Sequence, residues 1–223
     1  MKIFVDSANL TEIEEALARG FVAGITTNPS ILAKEERTDV VEHVHRIIGL
    51  ARKYGRDVPI SVEVVVEDPA EMLDQALKLS VALAYPGLAV KVPVGWDELK
   101  VIAELRRRDI RVNCTCCMSF NQAYMAALAG ANYVSLFYGR IRDVGYDARL
   151  VVEQTARAFR EGGIASEIIV GSIRHIHDVN EAFGAGAHIV TVPPKFFRQM
   201  TEHPKTSEAV QQFLTDFRRW SER

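Results

Sequence analysis

The chain has 223 residues, 48% of them apolar and 25% charged, a balance that excludes an intrinsically disordered protein. Its formal net charge of −2 excludes a broad basic surface, so we expect neither nucleic acid nor a membrane as a partner. The amino terminus opens directly as a strand without the features of a signal peptide, and no apolar run is long and uninterrupted enough for a membrane span, so we expect a cytoplasmic protein.

Short apolar runs rich in β-branched residues alternate with helical periodicity along the chain, the pattern of repeated βα units around a parallel sheet. The predicted strands are residues 3–6, 24–28, 60–64, 89–93, 111–115, 133–137, 168–173 and 188–192. Eight units in one uninterrupted chain predict an α/β fold, a single (β/α)₈ TIM barrel domain covering residues 1–223.

Two further helices are predicted after the eighth strand, over residues 195–200 and about 205–221. The second has an apolar stripe formed by Val210, Phe213, Leu214, Phe217 and Trp220. This extra C-terminal helix lies outside the eight units, so we expect it to pack on the barrel or to reach a neighbouring subunit.

Lys91 is a lone charge in the apolar run 88–94, which otherwise reads as a buried strand. A charged amine is costly to remove from water, and most such lysines extend to a wet rim or pair with an acid. The other reading is a reactive amine, because burial disfavours the ammonium form and a neutral amine is a nucleophile.

Polar residues collect at the carboxyl ends of the predicted strands, where barrel enzymes build their sites. They are Asp6, Asn28, Glu63, Lys91, Asn113, Thr115, Ser135, Arg140, Ser172 and Arg174. Each has a plainer reading: Asn28 before Pro29 as a helix cap, Thr115 as a β-former facing the helices, either arginine as a surface ion pair. Their convergence on one end of the barrel favours a reactive lysine with acids beside it.

A lysine that attacks a ketone forms a carbinolamine, and loss of its hydroxyl as water needs a proton donor and acceptor. Glu63 and Thr115, on the neighbouring strands, are candidates to hold that water, and Asp6 is the candidate base for carbon–carbon cleavage. Arg140 and Arg174, with Ser135 and Ser172, form a donor set suited to a terminal phosphate.

The chain resembles the small-subunit transaldolases and the related fructose-6-phosphate aldolases nearly from end to end. The motifs that carry the resemblance are Phe4-Val5-Asp6-Ser7-Ala8-Asn9, Thr26-Thr27-Asn28-Pro29-Ser30, Ser61-Val62-Glu63-Val64, Val90-Lys91-Val92-Pro93, Asn113-Cys114-Thr115, Phe137-Tyr138-Gly139-Arg140, Ser172-Ile173-Arg174-His175 and Thr191-Val192-Pro193-Pro194.

The resemblance implies a barrel enzyme without metal or cofactor that moves a dihydroxyacetone unit between phosphorylated sugars. It implies Lys91 as the Schiff-base residue, Asp6 as the acid/base, and Glu63 with Thr115 as holders of the catalytic water. It further implies Asn28 and Asn113 on the donor hydroxyls, Phe137 in the pocket wall, and Ser135, Arg140, Ser172 and Arg174 around the phosphate.

Two positions favour the transaldolase branch, because the aldolase branch typically carries glutamine in place of Glu63 and tyrosine in place of Phe137. A carboxylate can cycle a proton through a trapped water, whereas an amide can only orient it. The alternatives are an aldolase that releases dihydroxyacetone and a noncatalytic phosphosugar-binding protein. A metal enzyme using His175, His177 and cysteines has little support in the sequence.

Cys114, Cys116 and Cys117 are odd in number and set among β-formers, so we expect reduced thiols in a reducing compartment, with the last two on opposite faces of the strand. Members of the resembled class are often decamers built from pentameric rings. The resemblance therefore implies a homo-oligomer in which the C-terminal helix crosses to a neighbour.

Overall fold

Eight parallel strands close into a barrel in sequence order in the computed structural model, which describes residues 1–222. The strands are β1 (Lys2–Asp6), β2 (Val22–Thr26), β3 (Ile60–Glu63), β4 (Leu88–Pro93), β5 (Arg111–Cys117), β6 (Tyr133–Phe137), β7 (Glu167–Gly171) and β8 (Ile189–Val192). The predicted (β/α)₈ barrel is confirmed.

Helices follow the strands and cover the outside of the barrel. They are α1 (Leu10–Ala18), α2 (Pro29–Leu32), α3 (Val40–Lys53), α4 (Pro69–Leu83), α5 (Glu98–Arg107), α6 (Phe120–Leu128), α7 (Tyr138–Asp143), α8 (Ala148–Glu161), α9 (Ile176–Gly184) and α10 (Pro204–Ser221). Asp68 shows how such a helix starts: its Oδ1 accepts hydrogen bonds from the amides of Ala70 and Glu71 at 2.9 and 3.0 Å. No helix within residues 1–222 is long and apolar enough to cross a membrane.

Strand alternation separates an outer core from a small inner one. Outward residues such as Val5 and Val90 belong to the large core between sheet and helices. The second cluster comprises Phe4, Ala89, Tyr133, Ile169 and Ile189. A Cβ at Gly24 would lie 2.4 Å from the Phe4 ring, so only glycine lets that ring fill the barrel. This apolar layer supports the polar side chains above it.

The predicted helix over residues 195–200 is wrong. A 3₁₀ turn, Pro194–Phe196, is followed by further turns. The amide of Phe197 bonds the carbonyl of Pro194 at 3.0 Å, the tighter pattern of a 3₁₀ turn. His203 precedes Pro204 and is extended, with φ −148° and ψ 131°, so a helix cannot run on into α10.

The predicted C-terminal helix is present as α10, and every residue of it is exposed. Phe213, Phe217 and Trp220 of its apolar stripe are 70%, 62% and 71% exposed. The helix therefore does not bury its stripe on the barrel of its own chain. That it crosses to a neighbouring subunit stays a prediction.

Candidate active site

A cavity of about 710 Å³ opens at the carboxyl ends of the strands. It is the place where the sequence predicts the site, and it brings together most of the predicted side chains. Those in its wall are Asp6, Asn28, Glu63, Lys91, Ser135, Phe137, Arg140 and Ser172. Asn113, Thr115 and Arg174 are outside its lining.

Lys91 lies inside the barrel and is paired with an acid. Strand register sets it beside Glu63, and its Nζ lies 2.7 Å from Oε2 of that residue. The same nitrogen donates to the main-chain carbonyl of Thr27 at 2.9 Å. Because its side chain is only 4% exposed, Lys91 does not extend to a wet rim. The amine is thus held at the base of the cavity, one proton transfer from a carboxylate.

Asp6 faces the same cavity from β1 and is held by a threonine. The hydroxyl of Thr26 donates to its Oδ1 at 2.9 Å and lies 2.5 Å from the hydroxyl of Thr191. Burial raises the pKa of Asp6, while the Thr26 hydrogen bond and the charges of Lys91 and Lys34 oppose that rise. Since its proton affinity is increased, Asp6 is suited to exchange a proton with a substrate.

Asn113 is completely buried, and both ends of its amide are engaged. Its Nδ2 donates to Oγ of Ser61 at 3.1 Å, and its Oδ1 accepts from Oγ of Ser135 at 2.7 Å. Ser61, Asn113 and Ser135 thus form a hydrogen-bonded row inside the barrel that fixes the Asn113 amide. Ser135, at one end of this row, lines the cavity. Ser61 is absent from the predicted site, although it lies on the same face of β3 as Glu63, two residues away.

Thr115 is also fully buried, and strand alternation places it on the same side of β5 as Asn113, inside the barrel and not facing the helices. Its Oγ1 has no hydrogen-bond partner among residues 1–222. A buried hydroxyl without a partner is uncommon and often marks a functional position. The structure therefore keeps Thr115 as a candidate, beneath the cavity wall instead of in it.

A bulge at the end of β5 sets the positions of the cysteines. Its register against β6 shifts between Cys114 and Cys117, and Cys116 has a left-handed φ of 60°. Cys116 lines the cavity, while Cys114 and Cys117 are buried, with their sulfurs 3.9 Å apart. All three are free thiols, and Cys116 and Cys117 lie on opposite sides of the strand as predicted. Regular alternation would have turned Cys116 outward.

The two predicted arginines have different surroundings. Arg140 lines the cavity, with its guanidinium carbon 6.0 Å from the centre of the Phe137 ring. Arg174 instead directs both terminal guanidinium nitrogens to the Asp143 carboxylate, and that pairing holds the pKa of Asp143 below its usual value. The ion-pair reading is therefore the observed one for Arg174.

Asn28 combines the two roles weighed for it. Its Oδ1 accepts from the amide of Ile31 at 3.0 Å and caps α2, while the residue also lines the cavity. Because the cap uses the carbonyl oxygen, the amide nitrogen is the atom left to donate to a ligand in the cavity.

Two lysines of the cavity wall, Lys34 and Lys195, are absent from the predicted set. Both follow strand ends by several residues, Lys34 after α2 and Lys195 after Pro193 and Pro194. Strand periodicity does not extend into such loops. For Lys195, the sequence feature that could have identified it is the Pro-Pro-Lys run directly after β8. Within residues 1–222, no group of three or more His, Cys, Asp or Glu side chains is arranged to hold a metal ion.

The sequence matches a known protein family over nearly its whole length. A family model described as transaldolase/fructose-6-phosphate aldolase matches residues 3–222. A probable transaldolase of Dehalococcoides mccartyi is 39% identical over 218 residues, covering 98% of each chain. A probable transaldolase of Desulforudis audaxviator is 41% identical over 223 residues, covering 100% of each.

A solved structure, a thiamine phosphate pyrophosphorylase from Pyrococcus furiosus, matches with a TM-score of 0.62. It is 14% identical, with 86% of this chain and 85% of that one covered, so it supports the fold alone. The fold and the buried lysine–carboxylate pair define a (β/α)₈ barrel with an enzyme-like site. The chain belongs to the transaldolase/fructose-6-phosphate aldolase family.

Proposed function

We propose that the protein is a transaldolase that transfers a dihydroxyacetone unit through a Schiff base on Lys91. The observation that carries the proposal is the buried pair of Lys91 and Glu63, with 2.7 Å between Nζ and Oε2, in the same cavity as Asp6. The donor would be a ketose phosphate, fructose 6-phosphate or sedoheptulose 7-phosphate. The acceptor would be an aldose phosphate, glyceraldehyde 3-phosphate or erythrose 4-phosphate, as in the pentose phosphate pathway.

The first step forms the Schiff base. Glu63 accepts a proton from the ammonium of Lys91, and the neutral amine attacks the C2 ketone of the donor. The carbinolamine hydroxyl then leaves as water after Glu63 returns a proton to it. Thr115, whose buried hydroxyl has no partner among residues 1–222, is the candidate to hold that water with Glu63.

The second step breaks the C3–C4 bond. Asp6 removes the proton of the C4 hydroxyl, the aldose phosphate leaves as an aldehyde, and the electron pair is held as an enamine on Lys91. The enamine then attacks the carbonyl carbon of the acceptor, and Asp6 returns its proton to the new hydroxyl. Water hydrolyses the resulting Schiff base by the reverse of the first step, which releases the product ketose and frees Lys91. The raised pKa of Asp6 supports this two-way role, because the group must both take and give a proton.

The remaining residues orient the donor. The free amide nitrogen of Asn28 and the row that ends at Ser135 are the candidate partners of the hydroxyls, with Asn113 holding that row in place. Phe137 forms part of the wall, and Arg140 and Ser172 are the candidate phosphate ligands. Arg174 would have to leave Asp143 to join them.

Fructose-6-phosphate aldolase activity, which releases dihydroxyacetone, is the second candidate because the family description covers it. Glu63 and Phe137 favour the transaldolase. Product analysis with and without erythrose 4-phosphate separates the two, since a transaldolase turns over little without an acceptor. Rapid release of dihydroxyacetone without acceptor would support the aldolase.

Borohydride reduction in the presence of fructose 6-phosphate tests the central step. Peptide mass analysis should find a dihydroxyacetone-sized adduct on Lys91. Labelling of another residue, or of none, would contradict the Schiff-base proposal. An adduct of the uncleaved sugar on Lys91, in a protein that neither transfers nor cleaves it, would instead support the noncatalytic alternative.

We also propose that the protein is a homo-oligomer joined through α10, with the decamer of pentameric rings implied by the resemblance as its assembly. The support is the apolar stripe of that helix, which is exposed in the single chain.

A further inference from the structure

The proposed substrates carry a phosphate monoester, whose charge near neutral pH is about −1.5 to −2. Such a dianion is bound best by more than one cation. Arg140 is one cation in the cavity wall. Arg174, the second in the predicted set, is committed to Asp143 through both terminal nitrogens and does not line the cavity.

Lys195 is a cation that does line the cavity. It lies three residues after the end of β8, on the 3₁₀ turn. Within residues 1–222 its ammonium makes no ion pair or hydrogen bond, and it lies 4.9 Å from the centre of the Phe196 ring. The side chain therefore has its charge available to a ligand.

Strand order places Lys195 next to the predicted phosphate ligands. Strands β6, β7 and β8 are neighbours in the barrel, and Arg140, Ser172 and Lys195 follow them in that order. Ser172, directly after β7, thus lies between α7, which carries Arg140, and the 3₁₀ turn, which carries Lys195. In (β/α)₈ enzymes the loops after strands seven and eight frequently form phosphate sites.

The start of α7, directly after β6, is fixed to the loop after β7. The amide of Gly139 donates to the main-chain carbonyl of Ser172 at 3.1 Å. A Cβ at position 139 would lie 2.5 Å from that oxygen, so the approach requires glycine. Ser172 itself has a left-handed φ of 59°. These contacts hold Arg140 and Ser172 in one fixed relation.

We propose that Lys195 is a phosphate-binding residue that, with Arg140, brackets the substrate phosphate over Ser172. This inference rests on the proposed function for the identity of the substrate. Lys195 supplies a second cation in the cavity wall beside Arg140, while Arg174 is paired with Asp143.

Lys34, the other unassigned lysine of the cavity, belongs to a different region. It follows β2 and α2, on the opposite side of β1 from Lys195. Its charge acts on Asp6 of β1, which is the reacting end of the site. The phosphate end therefore has Lys195 and Arg140, and the reacting end has Lys34.

Calorimetric titration with inorganic phosphate tests the inference without turnover. Lys195→Met should weaken phosphate binding about ten- to a hundredfold, the usual range for loss of one charge-assisted hydrogen bond. Lys195→Arg should bind within about threefold of the wild type, because it keeps the charge. Lys78→Met, at an exposed lysine of α4 outside the cavity lining, is the matched control and should bind as the wild type does.

A second readout separates phosphate recognition from general damage. Lys195→Met should raise KM for fructose 6-phosphate by a similar factor and leave kcat/KM for unphosphorylated fructose unchanged. The inference would be overturned if Lys195→Met and the wild type bound phosphate equally well, or if neither bound it. It would also be overturned if Lys195→Met lost kcat/KM for fructose as strongly as for fructose 6-phosphate. Absence of a borohydride adduct on Lys91 would overturn the proposed function alone, since the phosphate titration is independent of it.

Discussion

The ammonium of Lys91 lies 2.7 Å from Oε2 of Glu63 within the barrel, and their side chains are 4% and 15% exposed. Each charge is tolerated there because the other neutralises it, and the main-chain carbonyl of Thr27 takes a further hydrogen bond from Lys91. The pair is also the proton route for the proposed first step. Stability and chemistry at this position are therefore coupled.

Lys91→Met should abolish borohydride trapping and lower kcat/KM at least about a thousandfold, because the nucleophile is lost. It should also destabilise the protein by about 3 kcal/mol, since Glu63 is left without its partner. Adding Glu63→Gln should restore part of that stability and none of the activity. Urea unfolding measures the stability of the variants, and the transfer assay measures their activity. A double variant less stable than Lys91→Met would contradict the coupling.

Asp6→Asn should lower kcat about 10²- to 10⁴-fold, because the base for carbon–carbon cleavage is removed. Formation of the Schiff base should persist, so the borohydride adduct on Lys91 should still appear, in this case with the uncleaved donor. An unchanged kcat would show that another group takes the C4 proton.

Asp6→Asn should also change how the stability of the protein depends on pH. Burial raises the pKa of Asp6 above its usual 3.8, so the folded protein binds that proton better than the unfolded chain does. The contribution of Asp6 to stability is therefore fullest below the unfolded pKa and is lost as pH rises through the folded pKa. Asn does not titrate, so Asp6→Asn should be more stable than the wild type above that range. Thermal unfolding at pH 8 should give a higher Tm for Asp6→Asn than for the wild type, by about 2–4 °C for each kcal/mol of added stability. This difference in Tm should shrink toward pH 4.

The barrel and the candidate residues in its interior could be predicted, because strand periodicity places their side chains on the inside. Lys91 and Glu63 follow that rule, as does Asp6 at the end of β1. Local backbone geometry causes the exception to strand alternation at the end of β5. The bulge at Cys116 turns that side chain into the cavity against the alternation.

Loop residues were harder for a different reason. The partner of Arg174 is Asp143, 31 residues away at the end of α7, and no local pattern signals the pair. Asp178 is 1% exposed and accepts from the amides of Arg174 and His175 at 2.9 and 3.0 Å, which fixes the direction of the loop after β7. Contacts of this kind depend on how neighbouring loops meet, which sequence periodicity does not describe.

Gly139→Ala should raise KM for fructose 6-phosphate about tenfold or more, because its Cβ would lie 2.5 Å from the carbonyl oxygen of Ser172 and displace the phosphate loops. Gly49→Ala is the control, since position 49 lies inside α3 with no atom within 4 Å of the added Cβ. It should stabilise the protein by about 0.5–1 kcal/mol and leave KM unchanged. Equal kinetics for the two variants would show that the loops tolerate displacement.

Cys116 should be the thiol that alkylating reagents reach in the native protein, because it lines the cavity while Cys114 and Cys117 are fully buried. Burial raises the pKa of Cys116, and the charge of Glu63 adds to the rise, so labelling should be slow at neutral pH and faster above it. Labelling of Cys116 should block activity, and the presence of fructose 6-phosphate should slow both the labelling and the loss of activity. Peptide mapping with iodoacetamide checks the site, and Cys116→Ala should resist inactivation. Inactivation that persists in this variant would place the sensitive group elsewhere.

The apolar stripe of α10 supplies the last prediction. Three large side chains, Phe213, Phe217 and Trp220, are each more than half exposed in the single chain, and Phe217 lies 5.7 Å from Trp220 between ring centres. Water contact on so much apolar surface is unfavourable, so assembly through this helix would remove it. The double substitution Phe213→Ser and Phe217→Ser should therefore lower the sedimentation mass of the protein toward that of one chain, while each barrel stays folded by circular dichroism. Gln212→Ser, on the polar face of the same helix, should sediment as the wild type does. A wild type that sediments as one 24.9 kDa chain would contradict the homo-oligomer proposal and leave the barrel chemistry of Lys91 unaffected.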